Sequence, residues 1–366
     1  MADTSTSFKC PSCGAPLEYA PGAEKITCEY CMSEFTIEAL EEFYRRKEEM
    51  AAKAEQAREQ KWDTENAGTR YSQEEAALLR AFTCSSCGAE VVCDENTMAT
   101  ECVYCGNPTM IPARFDGTLK PDYIIPFQKT KQEAVAQLKE FCSGKRVLPS
   151  NFTANNRVED IQGMYVPFWL FDSTVEASGS FKAENDYVYT TKDATITETS
   201  VYECHRSGSM AFEKIPCDGS EKMDDTYMES IEPYDYSSMV PFANTYMAGY
   251  LADKYDVSAE DNAPRADMRV ENSAVELLES TVTGYMRVTP EEHAIVKKEG
   301  KVEYAMAPVW ILTTRYNNKP YTFMMNGQTG KFIGSLPIDY TKLWMYTLAT
   351  FVVLIYPLYY ICKLFI

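Results

Sequence analysis

An α+β protein is what this sequence predicts, on three observations. The cysteines of "CPSCGAPLEYAPGAEKITCEYC" return seventy-four residues later, at the same intervals, in "CSSCGAEVVCDENTMATECVYC". From residue 115 to 340, β-branched and aromatic runs alternate with a few capped helical stretches. Residues 343–362 carry no charge at all.

Composition narrows the field before any element is placed. A chain of 366 residues has room for two or three domains. With 54 acidic against 35 basic residues the net charge is −19, which argues against a phosphate-binding surface spread over the molecule, because Lys and Arg must neutralise phosphates. "MADTSTSFKC" lacks a basic segment followed by an apolar one, so no secretory signal is expected and the compartment is read as a reducing cytoplasm. There, clustered cysteines bind metal more often than they cross-link. His205 and His293 are the only histidines, too few for chemistry built on several imidazoles.

Cys10, Cys13, Cys28 and Cys31 form two CxxC pairs separated by fourteen residues, and Cys84, Cys87, Cys102 and Cys105 repeat the arrangement. Two such pairs supply four thiolates to one tetrahedral ion. Gly14, Gly88 and Gly106 follow a second cysteine, where a residue free to take positive φ lets the chain turn back. Met32 stands at that place in the first copy and predicts a less regular knuckle. The competing readings are two disulfides per copy or one metal-free copy. Cys93 has Tyr19 as its counterpart and reads as packing. No His, Asp or Glu occupies a ligand position, so two structural Zn2+ ions closed on all sides by sulfur are expected. Such an ion supplies on the order of 10–16 kcal/mol in small zinc peptides, enough to fold about thirty residues with little core. The modules, at 8–36 and 82–113, resemble zinc ribbons of the rubredoxin or transcription-factor-IIB type.

Residues 37–66 lie between them and are rich in Ala, Glu, Lys, Arg and Gln, without Pro or Gly, which predicts a charged helix. Glu41–Arg45, Glu42–Arg46 and Glu49–Lys53 are spaced i,i+4 in the favourable order. A solvated spacer of about 35 Å, at about 1.5 Å per residue, and a coiled-coil docking helix both fit.

In the β-rich domain at 115–340, "PDYIIPF" reads as a strand. "TKQEAVAQLKEFCSG" reads as a helix with a Thr130/Glu133 capping box, and "GMYVPFWLFDSTVEASG" as a strand. A looser echo follows: "MVPF", a helix over "NTYMAGYLADKY", then "MAPVWILTT". Pro-Phe, a helix, then Pro-x-Trp opening a strand occurs twice (Pro167–Trp169 and Pro308–Trp310), which reads as a diverged duplication of one α+β unit. "NGQTGKF" fails as a phosphate-binding loop, since Phe332 follows Gly330-Lys331 and position 325 is Met. A hairpin turning at Asn326-Gly327 is expected instead. Cys204 and His205 are adjacent and point to opposite faces of a strand, so they make neither a metal site with Cys217 nor a catalytic dyad. The acidic run from Cys217 to Asp235 does not match a calcium loop and reads as a solvated loop. No catalytic residues are assigned, and none of this points to an enzyme.

Twenty residues without charge, 343–362, suit a helix across a bilayer. Trp344, Tyr346, Tyr359 and Tyr360 are placed for its interfaces, with Lys342 and Lys363 at its ends. Such a segment reads as a tail anchor that leaves the bulk of the chain cytoplasmic; a re-entrant hairpin split at Pro357 is the alternative.

In order, the ribbons, the charged helix, "YIIPF", "YVPFWLFD", "IEPYD", "PVWIL", "NGQTGKFIGSLP" and the apolar tail resemble a family of bacterial membrane-anchored zinc-ribbon proteins. Its members are labelled transcription-factor-IIB-type zinc-ribbon proteins or, wrongly, primosomal replication helicases. The resemblance implies neighbours similar to phage-shock protein A and to SPFH or "virion core" proteins, and so protein partners at a stressed membrane. The fold class expected is therefore two N-terminal zinc ribbons joined by a charged helix, a β-rich duplicated α+β domain and a C-terminal transmembrane helix. The function expected is a non-enzymatic adaptor bound to protein partners and the bilayer. The alternative is a membrane-tethered nucleic-acid module, disfavoured because the first ribbon holds only Lys9 and Lys25 and the second has no Lys or Arg between Cys84 and Cys105.

Overall fold

The computed structural model describes residues 8–19, 25–58, 61–94, 97–99, 101–113, 119–150, 152, 160–317 and 319–364, with the side chains of 54, 56–58, 299, 356–362 and 364 outside that set. Parts of both expected ribbons, of the 37–66 segment and of the 343–362 stretch therefore lie outside the described residues.

The chain begins with a hairpin of β1 (Lys25–Thr27) and β2 (Glu34–Thr36) that runs into helix α1 (Ile37–Arg58). After β3 (Thr69–Arg70) and α2 (Gln73–Ala77) come β4 (Leu79–Cys84), β5 (Glu90–Asp94) and β6 (Met110–Ala113). Then follow β7 (Leu119–Lys120), β8 (Tyr123–Ile124), α3 (Lys131–Cys142), β9 (Gln162–Thr190) and β10 (Thr195–Asp218). The remainder is α4 (Asp225–Ile231), β11 (Val240–Pro241), β12 (Leu251–Asp253), α5 (Ala259–Ser280), β13 (Arg287–Tyr316), β14 (Lys319–Asn326), β15 (Phe332–Gly334) and α6 (Tyr340–Leu364). It is a mixed α/β fold with a large sheet.

The chain sorts into two compact units that cut across the boundaries expected from sequence. One comprises Met1–Asp63, Phe171–Ile215 and Pro264–Lys301; the other comprises Thr64–Leu170, Pro216–Ala263 and Val302–Ile366. In the second unit the strand order is β11-β8-β13-β9-β12-β5-β4-β6, with β14 on β13 and β15 on β14. β8 runs parallel to β13 (Ile124 beside Met306), and β12 parallel to β9 (Ala252 beside Tyr165). Successive residues of a strand point to opposite faces, and here both faces are covered. Val309 and Ile311 pack with Phe168, Met228 and Ile231, while Trp310 and Leu312 pack with Ala134 and Leu138 of α3. That is why "APVWIL" reads as an unbroken apolar run.

One set of contacts is made twice in this unit. Trp310 donates its indole N–H to the Lys129 carbonyl at 2.9 Å, and Trp169 donates to that of Val257 at 2.9 Å. Each carbonyl lies just before a helix N-cap, Thr130 for α3 and Ser258 for α5. Gly327 N–H donates to Pro308 O and Gly219 N–H to Pro167 O, both at 2.8 Å. The carbonyl of Gly327 accepts from Gln128 and Lys129, and that of Gly219 from Asp256 and Val257. A Cβ on Gly327 would lie 2.6 Å from the Phe127 ring, so the corner requires glycine. The Pro-x-Trp pairing noticed in the sequence maps onto this repeated corner.

Three local expectations are corrected. "NTYMAGYLADKY" is not a helix. It makes one 3-10 turn at Asn244–Met247, breaks at Gly249 (φ 81°) and continues as β12, whose pairing on both sides outweighs local helical preference. The helix of that repeat is α5 instead. The 326–331 turn is longer than a two-residue hairpin: Met325 pairs with Phe332, and positive φ falls on Gly330 at 82°. Its buried Asn326 donates to Ile231 O at 2.9 Å and Gln328 donates to Asp235 O at 2.9 Å, so this loop clamps the segment after α4. The run 217–235 is accordingly not a solvated loop, and Met228 and Ile231 are buried in the core.

In the first unit, the far halves of β9, β10 and β13 carry α5 on one face, where Ala274 and Leu278 meet Ala177, Phe181 and Cys204. The segment after α1 is not a plain spacer. Trp62 is buried against Phe171 (ring centroids 4.9 Å), donates to Asp267 at 2.8 Å and lies under the Lys297 ammonium at 4.0 Å.

The start of α6 is fixed within the second unit. Asp339 accepts from the Thr341 and Lys342 amides, and Lys342 Nζ donates to Leu148 O at 2.7 Å and Ser150 Oγ at 2.8 Å. Beyond this clamp Trp344, Leu348, Phe351, Val352, Val353 and Leu354 are all exposed, on every side of the helix. Among the described residues no helix is long and apolar enough to cross a membrane.

Trp310→Phe and Trp169→Phe keep one aromatic ring, remove the N–H with the pyrrole half of the indole, and orphan a carbonyl. Each is expected to cost about 1–3 kcal/mol in urea unfolding. Midpoints unchanged in both would show that the indole bonds do not hold the helix starts.

Candidate metal centres

Each knuckle is built by the same two backbone bonds. The amide of the first cysteine donates five residues ahead: Cys10 to Ala15 O, Cys28 to Ser33 O, Cys84 to Ala89 O and Cys102 to Asn107 O, at 2.7–2.9 Å. The residue four positions on donates back: Gly14, Met32, Gly88 and Gly106, at 2.8–3.0 Å. That residue has φ of 74°, 61°, 73° and 65° in the four cases. The first ribbon's last knuckle is therefore regular after all, and Met32 carries the left-handed strain that glycine avoids elsewhere.

These turns bring all eight predicted cysteines together in two groups of four, the ligand sulfurs of each group lying within 4.8 Å of one another. Cys10–Cys31 and Cys13–Cys28 are 3.6 Å apart, Cys84–Cys105 3.7 Å and Cys87–Cys102 3.6 Å. Four sulfurs about 2.3 Å from a tetrahedral zinc stand about 3.8 Å from each other. The tetrads thus fit a four-sulfur metal site and are too open for disulfides, whose sulfurs lie about 2.05 Å apart. One thiol in each is already inclined to ionise. The Ser33 hydroxyl and amide pull Cys31 down to about 6. Burial pushes Cys84 upward, but the Cys87 and Ser86 amides and the neighbouring sulfurs outweigh it and bring it to about 7. Among the described residues no other Cys, His, Asp or Glu cluster converges this way.

The two centres differ in their surroundings. Around the second, β5 pairs with β12, and Phe82, Val91, Cys93 and Val103 belong to the main core. Its last knuckle is bonded to β13: Thr313 Oγ1 donates to Val103 O at 2.7 Å and Arg315 Nε to Cys105 O at 3.0 Å. Around the first, the anchor is Tyr44 of α1, which accepts from the Lys9 amide at 2.6 Å, donates to the Lys9 carbonyl at 2.7 Å and stacks edge-on with Phe8. Cys13 and Cys31 are exposed, whereas Cys87 and Cys105 are half-buried. Lys9 to Gly14 border an open cleft of about 720 Å³ that Tyr44, Lys47, Glu203, His205 and Glu292 also line. His205 faces this cleft while its neighbour Cys204 is buried under α5, the opposite placement expected of adjacent strand residues. Tyr44, Thr313 and Arg315 carry no motif of their own, and the sequence did not single them out.

Beside the second centre lies a buried polar cluster. Asp253 of β12 is 4% exposed and faces the Tyr104 hydroxyl, between the last two cysteines of the tetrad, and Ser220 Oγ. Burial raises the Asp253 carboxyl to about 7, although the Ser220 and Tyr104 hydroxyls favour its ionised form.

The site thus belongs to a protein with two four-sulfur centres, one inside its sheet and one on a helix. The chain is 32% identical over 336 residues to the uncharacterized protein YdjG of Bacillus subtilis (strain 168), covering 92% of this chain and 91% of that one, and it belongs to the YdjG family. No family model matches it, and no solved structure matches it.

Two outcomes test the site. Cys84→Ser/Cys87→Ser should abolish the cooperative unfolding transition of the second unit, since a metal of this kind supplies on the order of 10 kcal/mol of folding energy. Cys13→Ser/Cys31→Ser should leave that transition in place; equal losses in both variants would refute the division. For Asp253, a folded pKa above the unfolded value of about 3.9 means that the native state holds the extra proton between about 4 and about 7. Stability therefore falls as pH rises through that window and stays low above it. Asp253→Asn should raise the urea midpoint much more at pH 8 than at pH 5; the reverse order would contradict the assignment.

Proposed function

We propose that the protein is a non-enzymatic, membrane-anchored zinc-ribbon adaptor that holds protein partners at the cytoplasmic membrane face. The observation that carries this reading is α6: an apolar helix bare on all sides, rising from a polar clamp at Asp339 and Lys342. Exposed apolar surface of this extent marks a membrane or protein contact. With residues 356–362 the charge-free stretch reaches the twenty residues that span a bilayer. Zinc is the metal proposed for both tetrads, because four thiolates in a tetrahedron suit it and no ligand position is open to water or substrate. A centre of that kind shapes a surface and performs no chemistry. The first ribbon, exposed and borne on α1, is the surface proposed for the partner. Proteins similar to phage-shock protein A or to SPFH proteins are the partners implied by the resemblance of the motifs, and membrane stress is the setting.

Fractionation tests the anchor: the full chain should pellet with membranes and resist alkaline wash, and a chain lacking 340–366 should not. Affinity purification from detergent-solubilised membranes tests the adaptor role. Cys13→Ser/Cys31→Ser should lose partners that the wild type retains while still pelleting; identical partners in both would remove the ribbon from the interface.

A further inference from the structure

We infer that the first tetrad is an oxidisable, releasable metal centre and the second a permanent one, so that a hydroperoxide can unload the first ribbon while the fold survives. This rests on the reading that both tetrads bind zinc. The sulfur separations are the same in the two groups, 3.6 Å in the first and 3.6–3.7 Å in the second, so internal geometry cannot distinguish them. Access does. In the first tetrad each exposed sulfur, Cys13 or Cys31, lies 3.6 Å from a buried one, Cys28 or Cys10. The knuckle carrying Cys13 borders the open cleft. In the second tetrad no sulfur is exposed, and the Thr313 and Arg315 bonds hold the last knuckle against β13. Thiolate oxidation is selective for accessible sulfur.

The chemistry balances within the site. An exposed thiolate attacks one peroxide oxygen, the O–O bond breaks, and hydroxide leaves as the sulfenic acid forms. The buried partner thiolate attacks that sulfur, the S–S bond forms, and a second hydroxide leaves. Two electrons pass from two sulfurs to the peroxide, and two solvent protons complete two waters. The pair must close by about 1.5 Å to reach disulfide length, which a ribbon anchored mainly through one tyrosine permits and one bonded into a sheet resists. Two thiolates of the four would then remain to hold the ion, too few to retain it. The first ribbon then loses the core that shapes its surface, while the sheet keeps its own.

The test uses the full zinc-loaded chain in detergent. Elemental analysis first counts the metal: fewer than two zincs per chain would break the underlying metal reading, whatever the response to peroxide. Hydrogen peroxide is then added with a chromophoric zinc chelator, and cysteines are mapped by alkylation and mass spectrometry. The expected result is one zinc released at least about tenfold faster than the other, as exposure-controlled thiolate chemistry requires. Protection from alkylation should fall on Cys10, Cys13, Cys28 and Cys31. Cys13→Ser/Cys31→Ser should lack the fast phase, and Arg315→Ala should speed the slow one. Release of both ions in one phase, release of neither, or first modification at Cys84, Cys87, Cys102 or Cys105 would overturn the proposal.

Discussion

Three residues join the second metal module to the rest of its sheet. Leu251, Ala252 and Asp253 pair in parallel with β9 on one side and antiparallel with β5 on the other. Without them no backbone pairing would tie β4, β5 and β6 to the sheet, and the module would hold to it only through side chains such as Thr313 and Arg315. With them, a module that alone has almost no hydrophobic core shares that of the whole unit. The cysteine knuckles and the core then support one another, because Thr313 and Arg315 bond the last knuckle to β13 and hold its sulfurs in place.

The first module has the same four-sulfur interior and none of this support. Its strand β2 passes directly into α1, and its cysteine knuckle is tied to that helix through Tyr44. Helix α1 is stabilised by ion pairs such as Arg46–Glu42 and meets β13 through Lys47–Glu292, all of them well exposed and each worth little in water. Trp62, buried against Phe171, is the stronger attachment of this stretch. One motif therefore stands in two settings, covered by the core in the second module and open to solvent in the first.

The eight clustered cysteines were legible because cysteine spacing states a chemistry directly, and the structure assembles them in the two groups the spacing implies. The α3 capping box and the repeated Pro-x-Trp were legible for the same reason, each resting on a local rule. What the sequence hid was set by distant partners. β12 is three residues long, and only its pairing on both sides makes it a strand. α5 contains Pro264 near its start, which obscures its period. Tyr44, Thr313 and Arg315 matter through bonds to residues far away in the chain. That the second ribbon belongs to the sheet depends on pairing, which no local pattern announces.

The duplicated corner is completed by different chemistry in its two copies. Both copies place a glycine, Gly327 or Gly219, under a proline carbonyl, and both set a helix start beside it. In the first copy the polar groups next in the chain are fully used: Asn326 accepts from Gln328 and Thr329 while donating to Ile231 O, and Gln328 bonds Asp235 and Ser238. In the second copy Ser220, Tyr104 and Asp253 face one another in a buried cluster that holds a carboxyl where the first holds an amide. A satisfied buried network rigidifies, whereas a carboxylate taken out of water favours its neutral form. The junction of β12 with β5 therefore depends on the protonation of Asp253, as the amide-built 326–331 loop does not.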